Sequence, residues 1–139
     1  MGRYLAVVAL ALLVACAEPA GPAGDPTAIA LTGTVWVLEG LVQGDAVSTV
    51  TGDRATLELF SDGSMLGSTG CRTLNGNYTI VGAEVQMTEL TANGDCPRDL
   101  EDQDTQVVIV LGSFRATVEG ETLNLTSPGN IGLRYRDEG

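Results

Sequence analysis

The side chains best able to do chemistry in this chain of 139 residues are three cysteines, Cys16, Cys71 and Cys96, and 18 acidic residues. There is no histidine, and all 7 basic residues are arginine. Without histidine there is no Ser–His–Asp or Cys–His relay and no imidazole metal ligand. Without lysine there is no Schiff base and no phosphate-cradling lysine of a P-loop. A formal net charge of −11 and a pI near 4.1 oppose a nucleic-acid partner, which needs a basic face. The acidic run Asp99, Glu101, Asp102 and Asp104 lacks the central glycine and the spacing of a calcium loop, so a solvated helix start is the expected reading. Two carboxylates at a set separation would mark a glycosidase, but so many acids guarantee chance pairs and set no separation. Gly63, Gly67 and Gly70 are followed by neither lysine nor a helix, so a phosphate loop is not expected. The expectation is therefore no enzyme, no cofactor and no metal, but a small binding or interaction module. Trp36, Phe60 and Tyr78 would line a ligand pocket or, as is commoner on alternating strands, simply fill the core.

Cys16 stands at the end of an address. Arg3 charges the N-terminus, and Leu5 to Ala15 is an unbroken apolar run. Such a run is shorter than the ~20 residues a helix needs to span a bilayer, and it fits the apolar region of a secretory signal peptide. Leu13-Val14-Ala15-Cys16 resembles the bacterial lipobox, in which the cysteine is acylated and becomes the first mature residue. The resemblance implies a signal peptide over 1–15 and lipidation at Cys16. It also implies a membrane partner through that lipid and a place on the extracytoplasmic side of the cell envelope. Ala17, not Asp, follows the cysteine, so in a host with two membranes the outer one is expected. Residues 16–30 carry Pro19, Pro22 and Pro26 with Gly21 and Gly24, and read as a tether. The domain proper is expected over 31–139. Cys71 and Cys96 remain in an oxidising compartment, where a disulfide is expected and two buried free thiols are the alternative. A bridge would stabilise by about 3 kcal/mol in the chain-entropy picture.

Stepping along the domain, glycines punctuate short runs of alternating apolar residues. The runs are Thr34–Leu38, Ala55–Phe60, Ser64–Thr69, Asn77–Ile80, Glu84–Met87, Arg115–Val118, Thr122–Thr126 and Ile131–Tyr135. Ser61-Asp62-Gly63, Val81-Gly82 and Glu119-Gly120-Glu121 are turn signals between them, so neighbours should pair antiparallel. That makes about eight strands. Asp95 to Leu111 is free of glycine, and Leu100, Val107, Val108, Leu111 and Phe114 share a helical face. Pro97 suits a first turn, and the acids of this segment suit a helix N-terminus. The β-branched run Val107–Val110 leaves a strand open as an alternative for the second half.

Several pieces occur in a telling order. Gly33-Thr34-Val35-Trp36-Val37-Leu38 is followed by Ser61-Asp62-Gly63 and then by Gly70-Cys71. Gly76-Asn77-Tyr78, Cys96-Pro97 and Gly120-Glu121-Thr122-Leu123-Asn124-Leu125 complete the series. This order resembles the META/HslJ domain over about residues 31–135. The resemblance implies a mainly β (α+β) fold: a small antiparallel, partly open β-barrel with one helix packed against it. Such domains are often exported or lipid-anchored and are linked to envelope stress, antibiotic tolerance, motility and virulence, without a shared biochemical activity. Three positions depart from the pattern: Arg72 replaces the asparagine after the first cysteine, Ala92 a threonine before the second, and Val107 an aromatic in the helix. The functional expectation is a non-enzymatic envelope lipoprotein carrying an interaction or stability module, with an unknown envelope protein as partner. The alternative is a carrier holding an acyl chain or another small apolar ligand inside the barrel.

Overall fold

Alternation of large apolar and polar residues gives a strand one face to bury, and antiparallel pairing through tight turns lets that face close on itself. The computed structural model describes residues 26–138. The signal segment, Cys16 and the tether up to residue 25 lie outside the described residues. The described part begins with a short helix, α1 (Pro26–Leu31), and continues through β1 (Val35–Gln43), β2 (Ala46–Ser48), β3 (Thr56–Leu59) and β4 (Ser64–Ser68). Next come β5 (Thr73–Val81) and β6 (Glu84–Asn93), then a 3-10 turn (Arg98–Leu100) and α2 (Glu101–Gly112). β7 (Ser113–Glu119), β8 (Thr122–Ser127) and β9 (Ile131–Asp137) complete it.

Eight strands, β1 and β3 to β9, pair antiparallel in sequence order, and β9 pairs back onto β1. The ring is therefore closed, with its narrowest seams three pairs long, as at β6/β7 (Glu84↔Arg115 to Gln86↔Ser113). β2 is an extra strand: β1 pairs with β3 through Val35–Val37 and with β2 through Leu41–Gln43. The inward positions are those the alternation marks. Trp36, Leu57, Leu59, Leu74, Val85, Phe114, Leu123, Leu125, Leu133 and Tyr135 are all at most 2% exposed and fill the interior. Gly132 lets β8 and β9 approach, since a Cβ there would stand 2.4 Å from the Leu125 carbonyl oxygen.

Because the strands run alternately up and down, the barrel has two distinct ends. The hairpin turns near residues 60–63, 82–83 and 120–121 lie at one end, with α1 and the chain's last described residues. The turns near 44–45, 69–72 and 128–130 lie at the other, with α2. At the first end Leu31 is fully buried and its carbonyl accepts the Trp36 indole N–H at 3.1 Å, while Thr32 bridges to Leu59.

Four details depart from the sequence reading. Residues 26–30, expected as the end of the tether, are helical and run on through Leu31: Pro26 takes the first helical position, where its missing N–H costs nothing. A ninth strand, β2, was not foreseen, because its three residues are all exposed and show no alternation. The helix starts later than its acidic run suggests. Phe114 belongs to β7, and Val110 rather than Val108 is fully buried. Helix wins over strand in Val107–Val110 because it brings Val107, Val110 and Leu111 together onto the barrel, which outweighs a weak β-propensity. Finally, β4 ends at Ser68, one residue short of the expected run Ser64–Thr69, and Cys71 sits in the turn after it.

One interior group is out of keeping. The Tyr135 hydroxyl is fully buried and has no hydrogen-bond partner among the described residues, and burial pushes its pKa far up. An unpaired buried hydroxyl costs about 1 to 3 kcal/mol. Tyr135→Phe should therefore raise the urea unfolding free energy by about 1 kcal/mol with the fold unchanged. A lowered midpoint would show that the hydroxyl is bound.

Candidate functional site

The densest cluster of buried polar groups lies at the helix end of the barrel. Leu100, Gln103, Asp104, Val107 and Leu111 follow one helical face by i, i+3, i+4, i+7 and i+11 spacing, so Gln103 and Asp104 are carried into the contact with the barrel. Gln103, Asp104 and Gln106 are 6%, 6% and 7% exposed, which is rare for such side chains unless their polar atoms are paired.

They are paired. Gln103 treats Thr51 as a strand would: its Oε1 accepts the Thr51 N–H at 3.0 Å and its Nε2 donates to the Thr51 carbonyl at 2.9 Å. The same Nε2 donates to the Thr69 carbonyl at 2.8 Å. Gly70, at φ +104°, is obligatory beside it, since a Cβ would meet that nitrogen at 2.6 Å. Gln106 spans the β1/β9 closure, its Nε2 donating to the carbonyls of Val42 and Gly132 at 3.0 Å each. Its Oε1 accepts from Gln43 Nε2 at 3.0 Å. Two amides thus fasten α2 across three separate parts of the barrel mouth.

The turn 69–72 holds the rest. The buried Thr69 hydroxyl accepts the backbone N–H of Arg72 at 3.0 Å and of Cys71 at 3.4 Å. Arg72 then reaches α2 with a two-pronged grip, Nε to Asp104 Oδ1 at 2.9 Å and Nη2 to Oδ2 at 2.5 Å. Burial alone would raise the Asp104 carboxyl, but the hydrogen bonds from Arg72 and Thr69 and the guanidinium charge outweigh it and hold the carboxyl below its ordinary value. Hydrogen bonding to Asp104 in turn raises the guanidinium. Cys71 and Cys96 are joined in a disulfide with Cα atoms 5.1 Å apart, fixing the approach to α2 to the same turn. Asp104 is thus engaged on both oxygens and is not free to act as a general base.

The sequence-derived candidates fall as follows. Cys16 lies outside the described residues. Cys71 and Cys96 come together. Trp36, Phe60 and Tyr78 do not form a pocket. Trp36 is core, Phe60 is 37% exposed, and the half-buried Tyr78 donates its hydroxyl to the Phe60 carbonyl. Asp99, Glu101 and Asp102 are exposed, as a solvated helix start should be, while Asp104 turns inward to Arg72. A depression at the helix end is lined by Val42, Thr126, Ser127, Asn130 and Ile131. Trp36, Leu57, Leu125, Leu133 and Tyr135 occupy the centre of the barrel. Sequence reasoning missed Gln103, Gln106 and the Arg72–Asp104 pair. The available signal was two polar residues set on an otherwise apolar helical face.

Two expectations follow. Cys71→Ala and the double Cys71→Ala/Cys96→Ala variant should each lose about 2 to 4 kcal/mol in urea melts, and the losses should not add, because one bond is broken in both. An unchanged wild-type midpoint under reductant would contradict this. Arg72→Gln strands a buried carboxylate and should cost about 3 kcal/mol. The Asp104 contribution is present above the unfolded carboxyl value near 3.8 and is lost as pH falls through the lower folded value. Arg72→Gln should therefore flatten the acid limb of a stability–pH curve, and an equally steep limb would remove Asp104 as its source.

Among solved structures, a protein from Burkholderia xenovorans determined by NMR is similar at a TM-score of 0.66 and 19% identity, covering 99% of each chain. A second NMR structure matches at 0.63 and 17% identity, over 78% of this chain and 92% of the other. A DUF4847 family protein from Bacteroides vulgatus matches at 0.59 and 11% identity, over 76% and 93%. At these identities the likeness is one of fold. No curated protein matches. The META domain family model matches residues 29–138, essentially every element described above, and the chain belongs to the META domain family.

Proposed function

We propose that this META domain protein is a non-enzymatic lipoprotein of the cell envelope, a rigid module that presents its helix end to an envelope partner. The observation that carries the reading is the packed interior under a fastened helix: Trp36, Leu57, Leu125, Leu133 and Tyr135 fill the centre of the barrel, while Gln103, Gln106, Arg72 and the disulfide hold α2 in one position. Rigidity of this kind suits a docking surface, whose parts must be in place before the partner arrives. The chain enters at the opposite end, through α1. A tether from Cys16 to residue 25 would reach roughly 30 Å if extended as polyproline II. The helix end would then face away from the membrane. No helix among the described residues is long and apolar enough to cross a membrane, so attachment in this reading rests on Cys16.

Expression with a radiolabelled fatty acid tests it. The wild-type chain should incorporate label and enter the detergent phase. Cys16→Ser should do neither and should keep its precursor mass. Equal partitioning of the two would refute the anchored module.

A further inference from the structure

We propose that the reduced form of this protein binds one thiophilic divalent cation, of the zinc or cadmium class, through Cys71, Cys96 and Asp104. This goes beyond the anchored-module reading and does not rest on it.

The sulfurs of both cysteines and a carboxylate oxygen of Asp104 all lie within 4.8 Å of one another. They come from three segments: the turn 69–72, the stretch before the 3-10 turn, and α2. Two of the three, the turn bearing Cys71 and the helix bearing Asp104, are also joined by the Arg72–Asp104 pair, whatever the state of the disulfide. Cys71 Sγ is 3.8 Å from Asp104 Oδ1. A sulfur and an oxygen on a tetrahedral metal, with bonds of about 2.3 and 2.0 Å, stand about 3.5 Å apart, so this pair is within a few tenths of an ångström of coordination spacing. Both cysteines are partly exposed, which gives a cation a way in, whereas Asp104 is 6% exposed and fixed. The Thr69 hydroxyl, 3.5 Å from Cys71 Sγ, can turn its one proton from Asp104 to a metal-bound thiolate once the metal takes up the carboxylate. Arg72 need not leave. Its Nη2 can keep Oδ2 at 2.5 Å, while Oδ1, which accepts Arg72 Nε at 2.9 Å, offers its second lone pair on the Cys71 side to the metal. Two thiolates and a carboxylate on a dication leave one negative charge, which Arg72 offsets.

The chemistry balances with a dithiol reductant. Thiol–disulfide exchange breaks the Cys71–Cys96 bond and gives two protein thiols and the oxidised, cyclic disulfide of the reductant. Binding the cation then forms two metal–sulfur bonds and releases two protons. The sulfurs must separate from bonding distance to about 3.8 Å, which side-chain rotation supplies. A water would complete the coordination.

The test uses the full chain carrying Cys16→Ala, so that only these two thiols remain. It is reduced with a phosphine, freed of reductant under argon, and titrated with cadmium. The expected result is a thiolate-to-cadmium ultraviolet band saturating at one cation per chain, with two protons released. The band should be absent while the disulfide is intact and absent in Cys71→Ser and Cys96→Ser. Asp104→Asn should weaken binding about tenfold or more, and Asp102→Asn, an exposed neighbour, should not. X-ray absorption of the zinc-loaded parent chain should count two sulfurs and light-atom ligands, an arm that stands even where Asp104→Asn fails to fold. No band after reduction, four sulfurs per zinc, or a folded Asp104→Asn chain that binds as tightly as its parent would overturn the proposal.

Discussion

The β1–β9 ladder is the interaction on which everything else depends. It joins the first long strand to the last, from Trp36↔Asp137 to Gln43↔Ile131, and turns an open sheet into a ring. Without it β1 and β9 would be left with raw edges, and the inward rows would have no common centre. With it, Leu38 and Leu123 are held in register with Tyr135, and Leu125 with Leu133, each contributing to one apolar interior. The partners are separated by nearly the whole domain, so loop closure must precede most of the reward. Such a topology folds slowly compared with local helical folds.

A ring closed in this way still has two mouths, and they are sealed by different means. The end with the termini is covered by an apolar residue, Leu31, and by backbone acceptors that use the Trp36 indole. The helix end is sealed largely by amides. Gln103 and Gln106 satisfy the frayed carbonyls and N–H groups that strand ends leave behind, as a further strand would. That is why a helix with an amphipathic pattern blurred by two glutamines and an aspartate is nevertheless well seated. The Arg72–Asp104 grip and the disulfide then tie the same turn to the same helix, one by charge and one covalently.

Most of the barrel was legible because a strand with one buried face must alternate, and turns demand glycine. Ala55–Phe60 followed by Ser61-Asp62-Gly63 is an example: the run became β3 and the turn fell where expected. The glycine-free segment from Asp95 to Leu111 marked the helix, and the two cysteines left after Cys16 marked the disulfide. What stayed hidden has a physical cause in each case. β2 has no inward row, so it leaves no pattern. The closure of β9 onto β1 depends on strand tilt and register, which no local segment encodes. Arg72 read as a departure from the family's asparagine; its partner, 32 residues on, becomes visible only when the turn and helix are brought together. Gln103 and Gln106 look like solvent-facing residues until their backbone acceptors are known, because sequence periodicity locates a face and not what that face meets.

The two ends of the described chain leave from one side of the barrel, and the backbone N–H of Glu138 still bonds the Val35 carbonyl at 3.1 Å. This gives the domain a directional response to mechanical load. Force applied between the two termini would peel β9 from β1 one pair at a time, beginning at Trp36↔Asp137, as a zipper opens. Force between the N-terminal side and the helix end runs along the strands instead and must shear whole ladders at once. The same molecule is therefore soft when pulled by its termini and stiff when pulled from pole to pole.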